Sequence, residues 1–295
     1  VLERIDPYAR QVTNSVGHGV IYDPDSFDWQ GDDFHFTSHN ELVIYELHIG
    51  SFHVDEEGRP GGFDTVLKRL DHLVKLGVNA IQIMPISEFA GDYSWGYNPA
   101  HIFAVESAYG GPDGFKKLVR EAHKRGIAVI LDVVYNHFGP SDLDLWQFDG
   151  WQENDKGGIY FYNDHRSKTP WGDTRPDYGR GEVRQFIHDN ALMWLEDYHV
   201  DGLRWDMTLY IHSVHGDGGE TIPEGWSLMQ YVNQSVRERF PGRIMIAEDL
   251  HSNPSITADV ERGGAGFHSQ WDAQFVHPVR EMVIHADDAG RSMEA

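Results

Sequence analysis

The chain has 295 residues, no cysteine, and 47 Asp and Glu against 24 Lys and Arg, for a formal net charge of −23 at pH 7. That charge repels phosphate backbones and anionic lipid, so nucleic acid and membrane surfaces are poor candidate partners and a neutral polar ligand fits better. The absence of cysteine excludes disulfides, thiolate catalysis and cysteine-ligated zinc, and no apolar run suggests a transmembrane helix.

Residues 1–40 are rich in Pro, Gly and Asp and read as an irregular lead-in. From Glu41 a rhythm sets in. The β-branched run "ELVIYELHIG" (41–50) predicts a strand. "GFDTVLKRLDHLVKLG" (62–77) places Val66, Leu70, Leu73 and Leu76 on one helical face, with Asp64 as N-cap and Gly77 as terminator. "VNAIQIMP" (78–85) is a strand, and a long loop leads to the helix "DGFKKLVREAHKRG" (113–126). "IAVILDVV" (127–134) is apolar almost throughout, as a strand covered on both faces should be. A helix (182–199), a strand (200–206), a helix (225–240) and a strand (243–249) follow. "GFHSQWD" (266–272) is a sixth strand, before a helix over 273–286 that contains Pro278.

Strand and helix alternating at this spacing predict βα units and a parallel sheet. A doubly wound nucleotide fold would carry a glycine-rich turn after an early strand, and none occurs. The strands instead run into loops rich in Trp, Tyr, His, Asp and Asn, where a (β/α)8 TIM barrel places its chemistry. About six βα units are visible, so the expectation is a barrel truncated before its last two.

If the strands are adjacent staves, Tyr97, Asp132, Asn136, His137, Arg204, Asp206, Glu248 and Asp249 converge on one rim. Asp206 and Glu248 each directly follow an apolar run. Glycoside cleavage with retention uses two such carboxyls about 5–5.5 Å apart, one as nucleophile and one as acid then base. Arg204 lies two residues before Asp206, on the same strand face, where a fixed cation keeps a nucleophilic carboxylate ionised. Glu248, more shielded, would hold its proton as the acid. Trp95 and Tyr97, in a Gly/Asn/Pro-rich loop, are either packing or a platform for sugar rings. This chemistry requires no cofactor. Asn136 with Asp142, Asp144, Asp173 and Asp177 offers oxygen ligands that suit a structural Ca²⁺.

"DVVYNH" (132–137), "GLRWD" (202–206) and "AED" (247–249) resemble the first three signature regions of the α-amylase superfamily, glycoside hydrolase family 13, and "WGYNP" (95–99), "SAYGG" (107–111) and "YHVDG" (198–202) strengthen the match. The resemblance implies a retaining enzyme acting on α-glucan or malto-oligosaccharide. It implies Asp206 as nucleophile, Glu248 as acid/base and Arg204 as the group orienting the nucleophile. Asp132 and His137 would line the subsite of the reacting sugar, and Tyr97 would stack on it. Asn136 matches a position that ligates calcium in many amylases. Trp205 stands where the family usually has a smaller or aliphatic residue and is placed with the substrate-binding side chains.

The family's fourth region, a His-Asp pair after strand seven, has no counterpart: "HPVRE" (277–281) lacks the aspartate and "HADD" (285–288) would follow a helix. Residues 207–210 lack the Lys-His pair common in starch-degrading amylases. "DPYAR" (6–10) resembles the linker that joins an N-terminal β-sandwich to the barrel in glucan branching enzymes and trehalose-releasing trehalohydrolases. The expectation is therefore a linker over 1–40, a catalytic barrel over 41–295, and branching or trehalohydrolase-like chemistry in the cytoplasm. An endo-acting α-amylase and a non-catalytic glucan-binding barrel are the alternatives.

Overall fold

The computed structural model describes residues 2–54 and 57–291. In chain order its strands are β1 (Gln11–Val12), β2 (Gly19–Val20), β3 (Ile44–Leu47), β4 (Ala80–Ile83), β5 (Ser87–Phe89), β6 (Pro99–Val105), β7 (Ala128–Val133), β8 (Gly202–Trp205), β9 (Ile244–Ala247) and β10 (Ser269–Gln270). The helices are α1 (Ile49–Phe52), α2 (Phe63–Leu67), α3 (Leu70–Leu76), α4 (Gly111–His123), α5 (Gly181–Glu196), α6 (Leu209–His212), α7 (Pro223–Arg239), α8 (Pro254–Thr257) and α9 (Ala273–Ile284).

Six of the strands form one all-parallel sheet in the order β10-β9-β8-β7-β4-β3. This is the six-stave arc expected of an incomplete barrel. Its pleat sorts side chains into two sets. Ile81, Ile83, Val129, Leu131, Val133, Leu203, Trp205 and Met245 face the helices and join the main core. Ala80, Ala128, Ile130, Ile244 and Ile246 face inward and form a second cluster.

The lead-in is more than a linker. Phe34 and Phe36 pack against the inward cluster, as does Leu42 just after the lead-in. Ile5 and Val12 are buried with Ala104, and β1 and β2 pair antiparallel. His123 at the end of α4 bridges Asp32 of the lead-in (2.8 Å) and buried Asp201 (2.9 Å), which also accepts the Val129 N–H. Burial works against a charged His123 ring, but Asp201 and Asp32 together raise its pKa and keep the proton on.

Four local readings are corrected. The helix over 62–77 is two, α2 and α3, and its N-cap is Gly62, with Asp64 inside the first turn. Val66, Leu70 and Leu73 are buried as expected, but Leu76 is 59% exposed, because two successive steps of three residues within α3 fall short of whole helical turns and carry Leu76 round off the core face. Gly77 does end the helix, at φ +87°. The long loop after β4 contains the antiparallel pair β5–β6, which shows no clean alternation because β5 is short, the register is irregular and β6 is buried at every position.

Candidate active site

The register of the sheet assembles the site. Asp132 on β7 is level with Arg204 on β8, and both side chains point inward. Asp206 and Glu248 lie just past the ends of β8 and β9. Arg204 Nη1 donates to both Asp132 oxygens at 2.7 Å and to Asp206 Oδ1 at 3.0 Å, while Nη2 is 2.6 Å from Glu248 Oε2. One guanidinium thus serves three carboxyls from three adjacent staves, and the face of Trp271 lies 4.4 Å from it. Tyr97 donates its hydroxyl to Asp132 Oδ2 at 2.7 Å. Its loop depends on Gly96, at φ +90°, where a side chain would collide with the Pro85 carbonyl oxygen.

Burial pushes Glu248 up to about 7, with Asp206 adding to the rise and Arg204 opposing it. Burial also raises fully enclosed Asp132, to about 8, against the pull of Arg204. Three carboxyls around a single cation leave excess negative charge in a dry site, which favours a proton held on Glu248 or Asp132 near neutrality.

His137 sits behind Asp206, with Nε2 2.8 Å from the Tyr97 carbonyl and Nδ1 beside Asn136 Oδ1. Burial lowers the His137 pKa, and the charge of Asp206 and the Tyr97 carbonyl offset this only in part. The indole of Trp171 stacks on this ring at 4.7 Å. Nothing in the spacing around Trp171 marks it as part of the site, because it arrives on the long loop between β7 and α5.

Several expected roles are not what the geometry provides. Trp205 is fully buried on the helix side, edge-on to Tyr135 (4.8 Å) and Phe267 (5.7 Å), so it is a core residue with no path to a ligand. Lying between Arg204 and Asp206, it must point the opposite way. Trp95 is 69% exposed and stands apart from the carboxyl cluster, lining a cleft of about 410 Å³ with His48, Tyr93, Ser94 and Tyr109. Asn136 is not turned toward a metal: its amide nitrogen donates to Asp206 Oδ2 and to the Asp206 carbonyl, both at 2.7 Å.

The loop aspartates proposed with Asn136 are engaged separately. Asp142 holds Ser15, Asp144 the Ile5 N–H, Asp173 pairs with Lys156 and Asp177 with Arg180. Among the described residues no group of three or more His, Asp or Glu forms that would hold a metal ion. These residues do not fit a calcium site. Asp249 also leaves the cluster, turning away to Thr208 and His212.

Residues 14–170, just over half of the chain, match the family described as alpha amylase, catalytic domain. The chain belongs to the alpha-amylase family. Within it, the malto-oligosyltrehalose trehalohydrolase of Saccharolobus solfataricus is 39% identical over 281 residues, covering 94% of this chain and 45% of that protein. The 1,4-alpha-glucan branching enzyme GlgB of Picrophilus torridus is 36% identical over 297 residues, covering 96% of this chain and 41% of that protein. A crystal structure of a Salmonella typhimurium protein assigned as an alpha amylase superposes with a TM-score of 0.74 at 28% identity, over 95% of this chain and 44% of that one. The chain spans less than half the length of each of these relatives. No helix among the described residues is long and apolar enough to cross a membrane.

Proposed function

We propose that this chain is the catalytic part of a retaining enzyme acting on α-glucans, with 1,4-α-glucan branching or trehalohydrolase-like activity. The observation that carries this reading is the single Arg204 guanidinium held against Asp132, Asp206 and Glu248 at three strand ends. The guanidinium and the amide of Asn136 hold the Asp206 carboxyl in place as the nucleophile. Glu248, held up to about 7 by burial, is protonated often enough near neutrality to act as acid.

In the first step an Asp206 oxygen attacks the anomeric carbon. The glycosidic C–O bond breaks, and the Glu248 proton goes to the departing oxygen. In the second, a hydroxyl of water or of another sugar attacks the same carbon. Its proton passes to the Glu248 carboxylate, and the bond to Asp206 breaks. Water gives hydrolysis and a glucan hydroxyl gives a branch; the two differ in the acceptor alone. Tyr97 and Arg204 keep Asp132 fixed beside the nucleophile, and Trp95 offers an aromatic face for a more distant sugar. The residues here support no calcium-dependent step. A cytoplasmic setting is part of the same proposal, and cell fractionation tests it.

The deciding experiment incubates the intact protein and its Asp206→Asn variant with amylose and with maltooligosyl-trehalose, followed by linkage analysis. New α-1,6 branch points, or free trehalose, that vanish in the variant are the expected products. Short linear maltosaccharides would make the enzyme an amylase instead. Glucan that is bound and left unchanged by both proteins would make the barrel a binding module and overturn the proposal.

A further inference from the structure

The residue after Asp206 has an unusual backbone. Met207 stands at φ +39°, a left-handed conformation that a non-glycine residue keeps only where its surroundings impose it. The result is specific: the Met207 N–H donates to Glu248 Oε2 at 3.0 Å, and the next N–H, of Thr208, donates to the Glu248 carbonyl at 3.0 Å. The turn after β8 therefore grips both ends of the glutamate that follows β9.

Asp249 supplies the imposing force. It is 1% exposed and faces away from Arg204. Its Oδ2 accepts from His212 Nε2 at 2.8 Å and from Thr208 Oγ1 at 3.3 Å. Thr208 precedes α6 and His212 ends it, so one buried carboxylate ties down both ends of the helical turn that follows Met207. The His212 ring is held in turn edge-on to Trp226, at 5.4 Å.

We propose that Asp249 and His212 are positioning residues for Glu248, anchoring the Met207–Thr208 turn whose N–H groups set where the Glu248 carboxyl sits and how readily it releases its proton. The catalytic consequence rests on the reading of Glu248 as acid/base. Other charged groups face Glu248 as well: Arg204 and Asp206 from β8, with Asp132 of β7 and the Tyr97 hydroxyl beyond Arg204. The Met207 N–H stabilises the carboxylate form, so releasing the turn raises the Glu248 pKa. Removing the Asp249 charge alone would lower it, so the direction of the shift separates the two effects.

The test is a ¹³C carboxyl NMR titration of the intact protein, with Glu248 assigned by its loss in Glu248→Gln. Asp249→Ala, which removes the acceptor as well as the charge, and His212→Ala should move the Glu248 midpoint up by about one pH unit. His212→Gln, which keeps a donor toward Asp249, should restore most of the difference. Thr208→Val, nearly isosteric, should give a smaller rise and carries the test if Asp249→Ala fails to fold. The alkaline limb of kcat/KM on glucan should move with the NMR midpoint. A midpoint that stays put or falls in these variants overturns the proposal, even if activity drops. A rise in a protein that turns over no glucan leaves the positioning intact and removes the catalytic reading instead.

Discussion

Arg204 holds its three carboxyls through the fork of its guanidinium, a geometry that a lysine ammonium does not reproduce. Arg204→Lys should keep the fold and lower kcat/KM on glucan at least about a hundredfold, since a positioned charge of this kind is worth several kcal/mol in the transition state. Steady-state kinetics check this, with circular dichroism as the control for folding. Glu248 must be protonated to serve as the acid and is raised to about 7, so kcat/KM should fall as the pH rises through about 7. The two tryptophans assigned to substrate contact from sequence should behave oppositely. Trp205→Ala removes a fully buried indole and should cost about 3–5 kcal/mol in urea unfolding. Trp95→Ala should leave stability within about 0.5 kcal/mol and raise KM. The Arg-x-Asp spacing told which residues face the site, and the same alternation, applied to Trp205, contradicts its placement with the substrate-binding side chains. What the spacing did not disclose is that Asn136 supports the nucleophile, because an amide suits a carboxylate and a cation equally well.

The β5–β6 pair is the element whose sequence conceals most. Its register is irregular, and two buried glutamates fasten it where hydrophobic alternation would normally be the signal. Glu88 accepts from the Ser107 N–H at 2.7 Å, and Glu106 accepts from the N–H groups of Phe89 and Ala108. Burial raises both, Glu88 to about 7 and Glu106 to about 8, with the charge of Glu88 adding to the rise at Glu106. Folded carboxyls with raised pKa values hold protons that the unfolded chain has already released. Their stabilisation is complete below the usual glutamate range and is lost as the pH rises through about 7 and 8. The thermal midpoint should therefore decline between about pH 5 and pH 8. Glu106→Gln should flatten that decline whatever it does to the midpoint itself. The parallel strands, by contrast, were legible because burial on both faces leaves an unbroken apolar run. The split between α2 and α3 was not, because Val66, Leu70 and Leu73 keep helical spacing across it.

The molecule as a whole is held together by its least regular part. The lead-in lies against the inner face of the arc through Phe34 and Phe36 and is pinned by His123 between Asp32 and Asp201. His123→Gln breaks a buried ion pair and should destabilise the protein by about 3 kcal/mol below neutral pH. Because the ring's pKa is raised on folding, the wild type loses this advantage as the pH climbs through the folded value, and the gap between the two proteins should narrow. Urea titrations at several pH values would reveal the convergence. Pro-, Gly- and Asp-rich composition is an honest sign of irregular backbone, but it does not distinguish a tether from a docked strap, since that depends on partners far away in the chain.

The indole of Trp271 stacked on Arg204 gives the protein an optical gauge of its own centre. Trp194 and Trp205, sealed in the core, should emit at short wavelength and report only whether the chain is folded. Trp271 touches the cation that a sugar in the cluster would approach, so its contribution, isolated by subtracting the spectrum of Trp271→Phe, should brighten or dim as ligand enters. Occupancy of the site would then be readable in real time, without a label and in variants too crippled to turn over.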